Sequence, residues 1–491
     1  MTLPTDADFL IQPQDSAAFA RLSGDFNPLH LDALAARRLQ FGDTVCHGVH
    51  LVLQTLEALA SSGALRSRSV QALSAVFQQP VRTGVAVRCV FTPDASGGRI
   101  RVSGLVAARP QFTVQLSLGP ESAAPEVAEA QPEVASAALN ASYPADAAAQ
   151  QAAAGTVPLR LNGALMQQLF PALAAWPEGR ALAADLMAST HVVGMRCPGQ
   201  NSIYSEFKLQ RRAAPASTAA MPYRVLHADP RFQKVRLGLQ GALLEGTADA
   251  FFRAPPVAQR TLDELAALTQ PGCVAGQRAL VVGGSRGLGE LVAKMLLAGG
   301  AEVTITYARG EADAARTVAQ AQARGAVCRA LKLDAMVPLA PDTAAALAEG
   351  RYTHLYHFAT PAIGKSPSGQ WSQALFESYC RIYVAALDEL SRAAADGVRE
   401  GGPLNVFYPS TVFLDHAEKG FAEYCAAKAA GETLCDHLAL NAARFAVQRP
   451  RLPRMKTDQN SSVLGPEAAD PYPTMALLLQ GFCGWQGVAR P

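Results

Sequence analysis

The chain has 491 residues, of which 49% are hydrophobic and 17% charged, and at the usual domain size this length predicts about three soluble domains. Its net charge of +2, without a long basic cluster, argues against a nucleic-acid-binding or membrane-binding surface. The nine cysteines lack the spacing of metal ligands, the amino terminus does not resemble a secretory signal, and no apolar run is long enough to span a membrane. These features favour a reducing, cytoplasmic setting without a metal site.

The first 120 residues are predicted to form one α+β layer. A short helix over residues 16–22 ends at residues 24–30, whose sequence G-D-F-N-P-L-H predicts a rigid turn that projects polar side chains. A buried helix is predicted over residues 49–60, because its leucines suit one apolar face. Strands are predicted at residues 70–80, 85–93 and 99–107.

This turn, followed about twenty residues later by F-G and H-G-V, resembles the MaoC-type hotdog proteins, which include the R-specific enoyl-CoA hydratases. The resemblance covers residues 5–120. It implies that Asp25 and His30 position and deprotonate a water molecule, with His30 as base and Asp25 as acceptor or as acid toward the α-carbon. Taken alone, Asp25 could be a turn residue and His30 a satisfied core histidine.

Two further residues of this segment have predicted roles. The backbone N–H of Gly48, at the start of the predicted helix, would donate to the thioester oxygen as that oxygen becomes enolate-like, and the helix dipole would help. Asn27 would support the loop, and contact with substrate or water is its alternative role.

Residues 121–156 are rich in Ala, Pro and Glu, and we expect a linker with some helical stretches. The block 157–255 contains H-V-V-G-M-R-C-P-G-Q-N-S-I-Y, again similar to MaoC hotdog sequences, but no second D-x-N-P-x-H. We therefore predict a double hotdog in which residues 1–120 are catalytic and the second copy shapes the acyl tunnel. Asp185 and His191 are expected in the core or at the surface rather than in a second active site.

The last block, residues 260–491, contains the sequence A-L-V-V-G-G-S-R-G-L-G-E at residues 279–290. A buried strand, a loop with Gly283, Gly287 and Gly289, and a new helix follow one another in the order that a dinucleotide needs. The glycines let the pyrophosphate approach the backbone, and the helix offers unpaired N–H groups with a positive dipole end. In isolation such a loop could also be a turn without a ligand.

Ser410, Tyr424 and Lys428 add to this pattern. With the G-x-x-x-G-x-G spacing they resemble the short-chain dehydrogenase/reductase family, which has a serine thirteen or fourteen residues before Y-x-x-x-K. The resemblance implies an α/β Rossmann-like, doubly wound parallel sheet, Tyr424 as proton donor to a carbonyl oxygen, and Ser410 as hydrogen-bond donor to that oxygen. Tyr424 and Lys428 share one helix face, so the ammonium would lower the phenol pKa and hold the cofactor ribose. As a pair alone, they would also suit a surface helix.

The predicted cofactor is NADPH. At the end of the second strand, where many NAD enzymes carry an acidic residue, the chain has Y-A-R ending in Arg309, and Arg286 adds a second guanidinium suited to a 2′-phosphate. Either arginine could instead be solvated, and Asp334 fits the family's adenine contact. The predicted cofactor-binding residues are Gly283, Ser285, Arg286, Gly287, Leu288, Gly289, Arg309, Asp334 and Lys428.

The block also departs from the family pattern. F-A-T-P stands at residues 358–361 where the family has N-A-G, and Tyr383 lies where its catalytic Asn is expected, so that the Tyr383 hydroxyl could hold a water. A late basic cluster could meet a coenzyme A or phosphopantetheine phosphate, or face water. It consists of Arg449, Arg451, Arg454 and Lys456.

Together, the resemblances imply a bifunctional enzyme that reduces a 3-oxoacyl thioester with NADPH and dehydrates the (R)-3-hydroxyacyl product to a trans-2-enoyl thioester. NADPH favours biosynthesis of a fatty acid or polyketide, whereas hydration followed by NAD-dependent oxidation would be β-oxidation. A dehydratase with a catalytically silent reductase-like scaffold is a further alternative, as is a reductase for a non-acyl ketone. The expected substrate carrier is coenzyme A or acyl carrier protein, and the reductase resemblance implies a homo-oligomer, such as a dimer.

Overall fold

A computed structural model describes residues 3–37, 42–133, 152–215, 217–252, 258–361, 363, 371–398, 402–457 and 468–488. The chain divides after Pro255 into two compact units. The break predicted at residues 254–256 and residues 134–151 of the predicted linker lie outside the described residues. None of the helices in the described part of the chain has the length and apolar character that a bilayer span requires.

The first unit is built on an antiparallel sheet that contains ten strands in the described residues. Its strands are β1 (Asp6–Leu10), β2 (Arg68–Phe77), β3 (Ala86–Pro93), β4 (Arg99–Val106), β5 (Arg109–Pro120), β7 (Ala154–Pro158), β9 (Ser202–Arg211), β10 (Ala220–Asp229), β11 (Lys234–Gln240) and β12 (Leu244–Phe252). Two short strands, β6 (Ala128–Glu129) and β8 (Arg160–Leu161), pair separately. β6 thus lies within the predicted linker.

The strand order repeats from each edge of this sheet to its middle. The order is β1-β3-β4-β5-β2 in one half and β7-β10-β11-β12-β9 in the other, and the halves join where β2 pairs with β9. Equivalent strands therefore occupy equivalent positions on the two sides of the junction.

Each half carries one long buried helix. The helices of the unit are α1 (Pro13–Ser23), α2 (Pro28–Leu31), α3 (Ala33–Arg37), α4 (Gly48–Ser61), α5 (Gly163–Leu169), α6 (Pro171–Ala175) and α7 (Gly179–His191). A π-helical turn, Val192–Arg196, continues α7. Every residue of α7 except Arg180 is buried, because its alanines and apolar side chains leave no polar face for solvent. In the other half, α4 matches the helix predicted over residues 49–60.

The second unit is built on a parallel sheet with the order β15-β14-β13-β16-β17-β19 in the described residues. Its strands are β13 (Arg278–Val282), β14 (Glu302–Tyr307), β15 (Cys328–Lys332), β16 (His354–His357), β17 (Leu404–Phe407) and β19 (Phe445–Gln448), with a small parallel pair, β18 (Ser410–Thr411) and β20 (Arg451–Leu452). The order reverses between β13 and β16, as in a doubly wound Rossmann-like sheet, which confirms this part of the predicted fold class.

Helices connect these strands. They are α8 (Leu262–Ala266), α9 (Gly287–Ala298), α10 (Glu311–Ala323), α11 (Pro341–Glu349), α12 (Gln373–Cys380), α13 (Leu387–Asp396), α14 (Ala422–Ala439) and α15 (Pro471–Cys483). A π-helical turn, Arg381–Ala386, joins α12 to α13. In a doubly wound sheet, ligands bind at the carboxyl ends of the strands where the order reverses, here at the ends of β13 and β16.

Candidate active sites

The turn between α1 and α2 fixes the direction of two polar side chains in the first unit. Gly24 ends α1 with a φ of +75°, and a β-carbon there would lie 2.5 Å from Nδ1 of His191. Asn27 caps α2, because its side-chain oxygen accepts a 3.1 Å hydrogen bond from a backbone N–H of the first turn. Asp25 and His30 therefore project from a backbone with little freedom.

The Asp25 carboxylate is buried and held from both sides. Its side chain has 1% of its surface exposed. Oδ1 accepts a 3.2 Å hydrogen bond from the backbone N–H of Asn27, and Oδ2 accepts a 2.7 Å hydrogen bond from the Thr190 hydroxyl at the end of α7. Gly194, in the π-helical turn, lies so close that a β-carbon there would be 2.3 Å from Oδ1. The other half of the sheet thus supplies part of the carboxylate's surroundings.

His30 lies beside this carboxylate. Its Nδ1 is 2.7 Å from the Val45 carbonyl oxygen, which can only accept, so Nδ1 carries the proton and Nε2 is the acceptor nitrogen of the neutral ring. A ring nitrogen of His30 and a carboxylate oxygen of Asp25 lie within 4.8 Å of each other. One water molecule with two hydrogen bonds of about 2.8 Å spans such a gap. The structure therefore brings the predicted Asp25 and His30 together.

Two neutral histidines line the inner side of this pair. His47 donates from Nε2 to the Asp25 carbonyl oxygen at 3.0 Å and stacks on His30 with ring centroids 3.8 Å apart. Burial holds the pKa of His47 well below its ordinary value, and burial lowers the pKa of His50, stacked on Phe19, to about 3. Neither ring therefore carries a positive charge beside His30 at neutral pH.

Gly48 stands at the amino-terminal end of α4, where the first helical N–H groups have no partner within the helix. A β-carbon at Gly48 would lie 2.8 Å from the ring of Phe77, so this ring covers the glycine. Both residues line a cavity of about 370 Å³ whose wall comes from both halves of the sheet. Its lining includes Asp25, His30 and Gly48 from the first half and Thr190, Tyr204 and Phe251 from the second.

Asp185 and His191 of the second half are core residues. The buried Asp185 carboxylate accepts hydrogen bonds from the backbone N–H groups of Ala242, Leu243 and Leu244 at 2.8, 2.9 and 2.7 Å. Burial raises the pKa of Asp185 to about 6 and lowers that of His191. Asp185 therefore stabilises the turn between β11 and β12 through these three hydrogen bonds.

In the second unit, the loop after β13 has a geometry that requires glycine. Gly283 has a φ of +77°, and a β-carbon there would lie 2.7 Å from the backbone nitrogen of Ala359. Gly287, the first residue of α9, has a φ of +59°, and a β-carbon at Gly289 would lie 2.3 Å from the Gly283 carbonyl oxygen. This bare backbone in front of a helix amino terminus fits a dinucleotide pyrophosphate.

The other predicted cofactor residues lie after consecutive strands. In the loop after β13, Ser285 is buried and Arg286 is half-buried, and Leu288 is half-buried in the first turn of α9. Arg309 follows β14 and Asp334 follows β15, and both are exposed. The carboxyl ends of parallel strands meet at one edge of the sheet, so these groups share the edge that carries the glycine loop.

Ser410, which the sequence predicts as a donor to the substrate oxygen, is hydrogen-bonded to an acidic side chain. Ser410 donates its hydroxyl to the Glu432 carboxylate at 2.5 Å, whereas the hydroxyl of the neighbouring Thr411 accepts a 3.2 Å hydrogen bond from the backbone N–H of Phe413 and acts to lower the pKa of Tyr424. Thr411 stands thirteen residues before Tyr424 and Ser410 fourteen, so the spacing itself admitted either residue. The bond to Glu432 is a partner of Ser410 that the sequence interpretation did not anticipate, and Thr411 is a neighbour of Tyr424 that it did not name.

Lys428 is buried among aromatic rings. Its Nζ donates to the Pro409 carbonyl oxygen at 2.7 Å and lies 3.9 Å and 4.6 Å from the ring centroids of Tyr383 and Tyr408. Burial lowers the pKa of Lys428 to about 7 and raises that of Tyr424 to about 12. The expected lowering of the phenol pKa is therefore not found, because burial of the phenol outweighs its favourable contacts.

Tyr383 occupies the π-helical turn between α12 and α13. Its hydroxyl shares a 2.5 Å hydrogen bond with Thr360 of the F-A-T-P segment, while His357 Nε2 donates to the Ile382 carbonyl oxygen at 3.0 Å. The hydroxyl that was expected to hold a water is thus paired within the protein, and the ring face is what Tyr383 presents to Lys428.

The late basic cluster forms ion pairs within the unit. Arg449 and Arg451 both bind Glu432, at 3.1 and 2.7 Å, and Arg454 binds Glu418 at 3.0 Å. These three arginines therefore have acidic partners, which neither of the two sequence-based alternatives anticipated.

Comparison with known proteins assigns a family to each unit. Residues 2–101 match the MaoC like domain, and residues 277–458 match the short chain dehydrogenase family. A 64-residue segment, 13% of the chain, is 42% identical to the "Short chain dehydrogenase/reductase AacuN" of Aspergillus aculeatus and covers 24% of it. A 71-residue segment, 14% of the chain, is 35% identical to the "Probable dehydratase NIT22" of Ajellomyces capsulatus and covers 19% of it. The matched segments thus span a quarter or less of these relatives.

A solved structure of a short chain dehydrogenase from Burkholderia cenocepacia J2315 in complex with NADP matches 43% of the chain and 92% of its own length. The identity is 23% and the TM-score 0.38. By its two family matches, the chain carries a MaoC-like dehydratase domain in its amino-terminal part and a short-chain dehydrogenase domain in its carboxy-terminal part.

Proposed function

We propose that the protein is a bifunctional enzyme that reduces a 3-oxoacyl thioester with NADPH and dehydrates the resulting (R)-3-hydroxyacyl thioester to a trans-2-enoyl thioester. The observation that carries the dehydratase half is the convergence of the Asp25 carboxylate and the His30 ring on one cavity. The two steps share the hydroxyacyl intermediate, which gives the fusion a chemical reason.

We also infer that the two halves of the first unit are hotdog repeats, the first catalytic and the second not. The repeated strand order and the buried helix in each half support this division. In the second repeat, Asp185 binds three backbone N–H groups, which supports a structural role for the acidic residue of its helix.

For dehydration, the geometry supports a paired proton transfer. Asp25 accepts the proton from the carbon next to the thioester carbonyl, and His30, which enters this direction of the reaction with a second proton on Nε2, donates that proton to the hydroxyl on the following carbon, which leaves as water. The step returns His30 to the neutral form in which Nδ1 donates to Val45 and Nε2 can accept, the form that takes a proton from water in the reverse, hydrating direction. The electron pair of the broken C–H bond becomes the new C=C bond. The Gly48 N–H at the start of α4 binds the thioester oxygen while that oxygen carries the developing negative charge.

For reduction, NADPH supplies the hydride when it is bound. The glycine loop of Gly283, Gly287 and Gly289 would receive the pyrophosphate, since side chains are sterically excluded there. Arg286 and Arg309 would meet the 2′-phosphate, with Asp334 at the adenine end of the same strand edge.

At the reacting carbonyl, Tyr424 donates its phenolic proton to the oxygen as that oxygen gains charge. Thr411 lies near enough to the phenol to lower its pKa, and Lys428, four residues along α14, holds the ribose. We take Thr411 in place of Ser410 for the hydrogen bond to the substrate oxygen, because the Ser410 hydroxyl is committed to Glu432.

The experiment that tests this function separates the two activities in one chain. The wild-type protein is assayed for NADPH oxidation with an acetoacetyl thioester and for hydration of a crotonyl thioester, on both coenzyme A and acyl carrier protein. His30→Ala should abolish hydration, an expected loss of about 100- to 10,000-fold, and spare reduction. Tyr424→Phe should give the opposite result.

Normal reduction by Tyr424→Phe would show that Tyr424 is not the proton donor. Tight NADPH binding by the wild-type protein without turnover of any thioester would instead support a scaffold role for the second unit. A preference for NAD with oxidation of a 3-hydroxyacyl thioester would support the reverse, degradative direction.

A further inference from the structure

We infer that Thr190, which belongs to the half of the first unit without the D-x-N-P-x-H turn, is a positioning residue for Asp25 in the dehydratase reaction. This inference rests on the proposed dehydratase function. It means that the second half of the first unit orients a catalytic side chain, in addition to lining the cavity.

The contact is direct and shielded from solvent. The Thr190 hydroxyl donates to Oδ2 of Asp25 at 2.7 Å across 165 residues of sequence, and the two side chains are 4% and 1% exposed. A hydrogen bond to a buried charged group stabilises it by about 1.5–3 kcal/mol, more than a bond between neutral groups. With Oδ1 held by the backbone N–H of Asn27, each carboxylate oxygen has one donor.

These two donors fix the carboxylate plane. A carboxylate can rotate about its bond to the β-carbon. A single donor on one oxygen would still allow part of this rotation, because a hydrogen bond tolerates a range of angles. Donors on both oxygens, one from the Asp25 turn itself and one from α7, set the rotation. The carboxylate then keeps one orientation in the wall of the cavity that it lines together with His30.

The π-helical turn after α7 closes the third side. Gly194 leaves no room for a side chain, because a β-carbon would lie 2.3 Å from Oδ1 and 2.6 Å from Oδ2 of Asp25. The Gly194 carbonyl oxygen accepts a 3.4 Å hydrogen bond from the Asn27 side chain. The end of α7 and its π-helical turn therefore fit closely around the Asp25 turn.

A positioning role predicts a loss in turnover with little change in substrate affinity. Thr190→Val keeps the shape of the side chain and removes the donor, so kcat for hydration of a crotonyl thioester should fall about 10- to 100-fold while KM changes less than about threefold. Thr190→Ser restores the donor and should stay within about threefold of wild type. Gly194→Ala, which displaces the carboxylate, should lower kcat in the same manner as Thr190→Val.

A matched control lies in the other long helix. Thr55 in α4 is also fully buried, but its hydroxyl donates to the Leu51 carbonyl oxygen of its own helix at 2.9 Å. Thr55→Val therefore removes a buried hydroxyl without touching Asp25 and should keep wild-type kcat. Thermal unfolding and the reductase activity of each variant report whether the fold is intact.

The inference is overturned if Thr190→Val keeps wild-type kcat, if Thr190→Ser is no better than Thr190→Val, or if Thr55→Val loses kcat equally. In each of these cases the proposed function still holds if the wild-type protein hydrates the thioester and His30→Ala abolishes that hydration. If the wild-type protein hydrates none of the thioesters, the proposed function and the role of Thr190 fail together.

Discussion

The two candidate active sites, the proposed dehydratase centre around Asp25 and His30 and the proposed reductase centre around Tyr424 and Lys428, hold their polar side chains by different means. Around Asp25 and His30, polar contacts arrive from distant parts of the first unit, namely the hydroxyl of Thr190 and the carbonyl of Val45. Around Lys428, aromatic faces form the surroundings, with Tyr383 and Tyr408 against the ammonium.

The difference lies in what each centre must control. A carboxylate and an imidazole that share one water need fixed directions, and hydrogen bonds are directional. A lysine that contacts a ribose needs a fixed place and a low-polarity environment, and ring faces supply both through burial and electrostatic attraction. Activity at the first centre should therefore fall when a single polar atom is removed. Activity at the second centre should fall when the packing around the lysine or the cofactor loop is changed.

The strongest test of shape in the reductase unit is Gly283→Ala. The new β-carbon would lie 2.7 Å from the Ala359 backbone nitrogen at a φ of +77°, so the loop must move. NADPH affinity, measured by fluorescence titration, should fall by about 100-fold, or roughly 2.7 kcal/mol. Hydration should be unaffected.

Gly276→Ala is the matched control for this prediction. Gly276 also has a positive φ, +83°, but a β-carbon there would have no neighbour within 4 Å. This variant should lose about 1–2 kcal/mol of unfolding free energy and keep its NADPH affinity. Unchanged NADPH binding in Gly283→Ala would remove the glycine loop from the cofactor site.

In the dehydratase unit, the corresponding test is Gly48→Ala. The methyl group would meet the Phe77 ring at 2.8 Å at the helix terminus proposed to bind the thioester oxygen. We expect kcat/KM for crotonyl thioester hydration to fall about 10- to 100-fold. Because the obstacle is the tip of a side chain, adding Phe77→Ala should recover part of the loss. A double variant no better than the single one would place the damage elsewhere.

The neutral histidines of the first unit predict a dependence of stability on pH. The pKa of His50 is about 3 in the folded protein and about 6.5 in an unfolded chain, so the unfolded state binds the proton first as pH falls through 6.5. The unfolding free energy therefore decreases from pH 6.5 downward, by about 2 kcal/mol at pH 5 for this group.

Denaturant unfolding of His50→Leu at pH 8 and pH 5 measures this effect. The variant should lose about 2 kcal/mol less than wild type between the two pH values, because it has no proton to bind at this position. His227→Gln, at an exposed strand position, serves as control and should follow wild type. Equal losses in His50→Leu and wild type would show that burial of His50 does not govern acid stability.

The smallest expected effect separates ring from hydroxyl at Tyr383. Tyr383→Leu removes the ring 3.9 Å from Lys428 Nζ and should lower the kcat of reduction about 3- to 30-fold. Tyr383→Phe keeps the ring, loses only the hydrogen bond to Thr360, and should stay within about twofold of wild type. If both variants are equally impaired, the reductase centre depends on polar contacts as the dehydratase centre does, and the contrast between them fails.

Much of both sites was predictable because it is local in sequence. Local backbone geometry determines the turn at Asp25, the cap at Asn27 and the glycines after β13. The residue types that such geometry requires are visible in the sequence within a few positions. The family resemblance carried in part by the loop around Gly283 likewise implied the doubly wound parallel sheet.

Other features depended on register. Ser410 and Thr411 are consecutive residues of β18, and consecutive side chains of a strand point to opposite faces. The pairing of β18 with β20 therefore decided which of the two hydroxyls reaches Glu432. A spacing of thirteen or fourteen residues could not settle that choice.

By itself, the sequence determined the turns, the order of elements and the residue types available for each chemistry, because these follow from backbone preferences and from neighbours a few positions away. Only the tertiary structure decided that Thr190 holds Asp25, that the rings of Tyr383 and Tyr408 enclose Lys428, and that the late arginines pair with acidic side chains. These contacts join segments far apart in the chain, and their energies depend on burial and direction, which no local pattern records.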